Sequence, residues 1–199
     1  QTVSLPLFLL IFHAQNEIRN VERAMREVKA CGKHLEAAIS YTVSPVHSVE
    51  RFVTMAKQLE DLGTDTLCIK DMAGLLAPLD AYHLIRRIKA AVKVPIHLHS
   101  HYTSGMASMT SLMAILGGLD MLDTAISPLA GGTSHPSTET MVASLRHTPY
   151  DTGLDHASVP PITEHFPPVR RNQRQFQSTL PGRDAEIPTP TIPGDLLPN

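Results

Sequence analysis

Short apolar runs begin near Leu7, Leu35, Thr66, Val94 and Leu119, a spacing of roughly 25 to 31 residues that suits repeated strand-plus-helix units. Such runs, apolar with little alternation, read as parallel strands covered on both faces. Between them the apolar positions switch to helical spacing. Ile18, Val21, Met25 and Val28 make one stripe, ended by Gly32 just past the helix; Val49, Phe52, Val53, Ala56 and Leu59 make the next, ended by Gly63. Pro78 suits the first turn of a third helix carrying Ile85 and Ile88. Met109, Leu112, Met113 and Leu116 stripe a fourth and Met141, Val142 and Leu145 a fifth, and these stripes are expected to be core. After Asp155 the pattern stops. Nine of the 16 prolines lie between Pro160 and Pro198, and Pro160-Pro161 and Pro167-Pro168 are expected to interrupt a helix near Ile162 to Phe176. The chain therefore divides into an α/β unit over residues 1–155 and a Pro-rich, loosely ordered tail over residues 156–199.

Composition narrows the function. A net charge of -2 removes the electrostatic case for nucleic acid, and 5% aromatic residues offer few stacking platforms. Two cysteines, Cys31 and Cys68, make no disulfide framework and read as free thiols of a reducing compartment, so the cytoplasm is expected. The run Leu5 to Phe12 lacks a cationic lead-in and is too short to span a bilayer; a buried strand is the expectation. Gln1 rather than Met opens the chain, which points to a fragment.

Strings of strand-plus-helix units fold as a doubly wound sheet or as a barrel, and in both the functional groups gather at the C-terminal ends of the strands. Here His13 follows the first strand, Tyr41-Thr42 the second, Lys70-Asp71 the third, His99 and His101 the fourth, and Ser127 to Ser134 the fifth. No Gly-rich fingerprint follows the first strand, which disfavours a dinucleotide, and Gly131-Gly132-Thr133-Ser134 is too short for a phosphate loop. In Pro95-Ile-His-Leu-His-Ser-His-Tyr-Thr-Ser-Gly105, alternation in a strand sends His97, His99 and His101 to one side. Imidazoles so spaced can chelate one divalent cation; buried histidines bonded to backbone carbonyls are the plainer alternative. Lys70 ends a buried strand and must pair, lose its proton or be modified. An ion pair with Asp71 or another rim carboxylate is one solution. Carbamylation by CO2, which turns the cation into a metal-binding carboxylate, is the other.

Three ordered motifs are specific: Leu67-Cys-Ile-Lys-Asp-Met-Ala-Gly-Leu-Leu76, His97 to Gly105, and Asp123-Thr-Ala-Ile-Ser-Pro-Leu-Ala-Gly-Gly-Thr-Ser134. With Ile39 to His47 and Thr148 to Asp155 they resemble the carboxyltransferase domain of biotin-dependent enzymes, such as the oxaloacetate decarboxylase alpha subunit and the pyruvate carboxylase carboxyltransferase subunit. The resemblance covers about residues 7 to 155. It implies a (β/α)8 TIM barrel that moves a carboxyl group between oxaloacetate or pyruvate and biotin. Lys70 matches the carbamylated metal ligand of that family, His99 and His101 match its two histidine ligands, and Thr133 matches the threonine that shuttles a proton between biotin and the pyruvate enolate. The implied cofactors are a divalent metal (zinc, manganese or cobalt) and biotin supplied by a separate carrier domain or chain. The implied parent is a homo-oligomer or multi-subunit complex, cytoplasmic or peripheral to a membrane decarboxylase complex.

The sequence also departs from that pattern. It supplies about five strand-plus-helix units, matching family strands 4–8, where a whole barrel takes eight and roughly 250 residues. The family's first strand, with an aspartate ligand and an arginine, has no counterpart, nor has its third, which binds keto acid. No lysine sits in a Met-Lys-Met setting. The family's Arg-Ile-Phe-Asp-Ala-Leu-Asn-Asp reads here as Leu10 to Glu17, His135 stands where glutamine is usual, and prolines replace a long helix. The expectation is a partial barrel with little turnover alone. Two alternatives stand beside it: a metal-dependent keto-acid lyase or synthase of the aldolase-like barrel type, and a non-catalytic fragment that binds a partner.

Overall fold

The computed structural model describes residues 8–154, 160–173 and 175. Five parallel strands run in chain order across one sheet: β1 (Phe8–Phe12), β2 (His34–Ser40), β3 (Thr66–Asp71), β4 (Ile96–Ser100) and β5 (Met121–Leu122). They alternate with α1 (Ile18–Ala30), α2 (Val49–Asp61), α3 (Pro78–Lys89) and α4 (Ala107–Leu116); α5 (Thr138–Leu145) and α6 (Pro160–Asn172) follow. A strand order that never reverses decides between the two architectures. Right-handed crossovers wound always in one direction put every helix on one side, as in a barrel, whereas a doubly wound sheet reverses.

The two faces of the sheet differ accordingly. Leu35, Ala37, Ile39, Leu67, Ile69, Ile96 and Leu98 point to the helices and are fully buried among Met25, Phe52, Leu84 and Ile88. The opposite face carries Glu36, Cys68, Lys70, His97 and His99. Register sets these side by side: Lys70 pairs with His99, and Cys68 with His97. The same face of β1 presents Phe8, Leu10 and Phe12 to solvent, and on the helix side Leu9 and Ile11 are partly buried, so the strand expected to be buried is covered on one side only and there in part. Among the described residues β1 pairs with β2 alone, and its exposed inner face is the one a closed barrel would cover.

Helix ends follow the expected chemistry. Gly32 and Gly63 adopt φ of +65° and +87° beyond α1 and α2, and Pro78 opens α3. Two expectations fail. On α4 the stripe of Met109, Leu112 and Leu116 is exposed, while Ala107, Thr110, Ser111, Ala114 and Ile115 face inward. Small residues win because α4 packs close on its neighbours: Thr110 Oγ1 donates to the Leu76 carbonyl at 2.7 Å, and a Cβ on Gly117 would lie 2.8 Å from the Tyr82 carbonyl. The second failure is α6, which is continuous through Pro167 and Pro168. Each proline removes a helical donor, but the helix is anchored elsewhere. Thr163 Oγ1 donates to Glu139 Oε1 at 2.7 Å, and Arg170 donates to the Pro128 carbonyl at 2.5 Å. The rest of the expected loose tail lies outside the described residues.

Glu139 makes this docking pH-dependent. Burial opposes its ionisation, but donors from Thr163 and the Ser127 backbone outweigh burial and hold its carboxyl down at about 2. A lowered folded pKa stabilises the ionised state. The contribution is therefore complete above the unfolded value of about 4.3 and fades as pH falls toward 2. The protection factors of the α6 amides, exchange taken relative to the intrinsic rate at each pH, are expected to fall over that window. In Glu139→Gln they should already be low at neutral pH and show no such fall; strong protection in the variant would refute the anchor.

Candidate metal centre

At the C-terminal ends of β3 and β4, nitrogen atoms from three side chains approach one another. Lys70 Nζ lies 3.4 Å from His99 Nε2, which lies 3.2 Å from His101 Nε2. Lys70 and His99 come together by strand register. His101 lies past the end of β4, held there by its backbone N–H donating to the Asp71 carbonyl at 3.0 Å. Asp71 itself is fully buried and fixes the turn into α3, accepting from the Leu75 and Leu76 N–H groups at 2.8 and 3.0 Å and from Ser100 Oγ at 3.0 Å. It does not pair with Lys70 in the way the ion-pair alternative requires: it faces the turn. Lys70 instead lies over the Phe12 ring, 5.0 Å from its centroid.

The far nitrogens of both imidazoles are committed. His99 Nδ1 bonds Asp123 Oδ2 at 2.7 Å and His101 Nδ1 donates to the Thr133 carbonyl at 2.6 Å. A carbonyl and a carboxylate accept, so each Nδ1 carries a proton, and in the neutral ring this places the lone pair on Nε2, the atom at the point of convergence. Outer partners of this kind are what orient metal-binding histidines. The donor set fits a divalent cation of borderline character: two imidazoles and a lysine that ligates once carbamylated.

His97 does not join them. It sits one step deeper, with Nδ1 2.6 Å from Glu36 Oε1 and Nε2 3.0 Å from Asp123 Oδ1. Burial works against its protonation, yet bonds to Asp123, Cys68 and Glu36 prevail and push it up to about 12. An imidazolium donates at both nitrogens and offers no lone pair. Asp123 in turn is resisted by burial but held well below the usual carboxylate range by His97 and His99. The triplet spacing thus splits in two: His99 and His101 converge at the strand end, and His97 is a brace between Glu36 and Asp123.

Thr133 lies exposed in the loop after β5, and its carbonyl accepts from His101 Nδ1. The cap of α5 is Ser137, which accepts from the Thr140 N–H, so Thr133 is not needed for capping. Sequence reasoning gave no role to Glu36, Asp123 or His135. Asp123 opens a quoted motif, and its position one strand over from His99 was the available signal. Glu36 is a charged residue within an apolar strand, itself a signal. No helix among the described residues is long and apolar enough to cross a membrane.

The HMGL-like family model matches residues 11–165. A pyruvate carboxylase subunit of Methanocaldococcus jannaschii is 46% identical over 190 residues, covering 95% of this chain and 34% of that protein. The methylmalonyl-CoA carboxyltransferase 5S subunit of Propionibacterium freudenreichii subsp. shermanii is 42% identical over 192 residues, covering 95% and 38%. Among solved structures, the carboxyl transferase domain of Rhizobium etli pyruvate carboxylase with pyruvate and biocytin superposes with a TM-score of 0.88 at 34% identity, over 92% of this chain and 32% of that one. The chain thus spans little more than a third of the curated relatives it matches, and its five-stranded sheet corresponds to part of their barrel. With the family model covering most of the sheet and the whole cluster of Lys70, His99 and His101, the chain belongs to the HMGL-like family.

Proposed function

We propose that this chain carries the metal-binding part of a biotin-dependent carboxyltransferase, which moves a carboxyl group between a 2-keto acid and biotin. The observation that carries this reading is the convergence of Lys70 Nζ, His99 Nε2 and His101 Nε2 at the strand ends, with both Nδ1 atoms tied back. Lys70, carbamylated, would hold a divalent cation together with His99 and His101. That cation, when bound, supplies Lewis acidity toward the keto-acid oxygen and favours enolate character as the carboxyl group departs.

The protein's own residues do the rest. Carbamylation joins Lys70 Nζ to the carbon of CO2 and releases two protons to solvent, one as the ammonium becomes an amine and one as the N–C bond forms, replacing a cation with an anion. Asp123 holds the His99 ring in place. Thr133 relays a proton between the biotin ureido nitrogen and the keto-acid enolate, and its exposure leaves the hydroxyl accessible to an arriving carrier. Pyruvate is the keto acid that the pyruvate carboxylases among the relatives suggest, and oxaloacetate decarboxylation is the same transfer run backwards. Biotin would arrive on a carrier domain or chain.

The test is Thr133→Ala in the assembled enzyme with its biotin carrier. Carboxyl transfer is expected to fall by roughly 10²–10⁴-fold, the usual worth of positioned proton transfer, with metal content unchanged. Unchanged transfer would overturn the assignment of the proton to Thr133.

A further inference from the structure

Beside the cluster stands a third imidazole that the family pattern does not use. We propose that His135 is an additional ligand to the same cation, giving this chain a site with one more imidazole than the family's aspartate, lysine and two histidines. The inference rests on the reading of Lys70, His99 and His101 as metal ligands and extends it.

The geometry has three parts. First, the His135 ring lies 4.4 Å from the His99 ring and 4.8 Å from the His101 ring, centroid to centroid. One ring nitrogen from each of His99, His101 and His135 lies within 4.8 Å of the others, close enough to share an ion. Second, His135 repeats the bonding of its neighbours. Its Nδ1 donates to the Ser100 carbonyl at 3.0 Å, which fixes the proton there and leaves Nε2 with a lone pair. His99, His101 and His135 therefore each spend Nδ1 on a fixed acceptor: a carboxylate, the Thr133 carbonyl and the Ser100 carbonyl.

Third, the loop that carries His135 is built to stay put. The Tyr102 N–H donates to the Ser134 carbonyl at 2.7 Å, and the Gly131 N–H to the His135 carbonyl at 2.9 Å. The ring is half-buried, against the strand end that presents His99. A glutamine here would offer an amide oxygen, a harder and weaker donor. An imidazole shifts preference toward zinc and cobalt over manganese and magnesium.

The experiment titrates the full chain with Co2+ and with Mn2+, comparing wild type, His135→Gln and His99→Ala/His101→Ala, with circular dichroism as a check on folding. Visible absorption of bound Co2+ and hyperfine-shifted imidazole N–H signals report the ligands directly. The expected result for His135→Gln is a Co2+ affinity at least about 10-fold lower, the low end of what outer partners alone are worth. An altered cobalt band, loss of one exchangeable shifted signal and a smaller preference for Co2+ over Mn2+ should accompany it. An unchanged band and affinity in His135→Gln, with binding abolished in His99→Ala/His101→Ala, would overturn the role of His135 and leave the carboxyltransferase reading standing. Absence of binding in wild type would overturn both. Should His135→Gln fail the folding check, the signal count in wild-type protein decides alone: signals from His99 and His101 without a further one exclude His135.

Discussion

Replacing His99 and His101 together with alanine is expected to lower Zn2+ or Co2+ affinity by more than about 100-fold, because even the outer partners of metal-binding histidines are worth 10–100-fold. The fold should survive. His99 lies on the sheet face away from the helices and His101 just past the end of β4, and neither belongs to the apolar cluster between sheet and helices. Asp123 keeps His97 as a partner when the His99 ring is gone. Thermal unfolding should therefore move by no more than the loss of a hydrogen bond or two, about 1 kcal/mol each. Calorimetric titration beside a thermal melt checks both halves. Tight binding in the double variant would place the cation elsewhere.

Gly74→Ala should be the most damaging single change of similar size. Gly74 adopts φ of +69° in the turn after β3, and a Cβ there would lie 2.8 Å from the His101 carbonyl and 3.3 Å from the Thr103 and Ser104 N–H nitrogens. The left-handed backbone costs a non-glycine residue about 1–3 kcal/mol. Forcing an extra methyl into backbone adds about 1–3 kcal/mol more. The atoms that must yield belong to His101 and to the loop behind it. Gly74→Ala is therefore expected to lower stability by several kcal/mol and to weaken metal binding in whatever fraction stays folded. Denaturant unfolding and metal titration read the two effects. A variant as stable as the parent would show that this turn is looser than its contacts state.

The repeating units were legible because strands buried on both faces, as β2, β3 and β4 are, leave a strong mark. Leu35, Ile69 and Leu98 fall in the strands, and the turns announce themselves at Gly32, Gly63 and Pro78. What the pattern hid was any face decided by size rather than polarity. On α4, Met109 and Leu112 look like core, yet Ala107, Ser111 and Ala114 allow the closer approach and take the inside. In α6, proline spacing argued for a break, and anchoring by Glu139 and the Pro128 carbonyl is a tertiary effect that no local pattern contains. The site was half legible. Strand alternation finds His99, but it cannot distinguish it from His97, whose two nitrogens are taken by Glu36, two strands away on β2, and by Asp123, just past β5. His135 comes from a loop 34 positions beyond His101, a proximity that only the fold creates.

Under the proposed function Lys70 becomes an anionic ligand on carbamylation. The direct measurement is the 13C spectrum of the chain incubated with 13C-bicarbonate and Zn2+, beside Lys70→Arg. A carbamate carbon signal in the parent that is strengthened by metal, absent from Lys70→Arg and matched by weaker metal binding in that variant, is the predicted result. No carbamate signal in the parent, with Lys70→Arg binding metal as tightly, would contradict it.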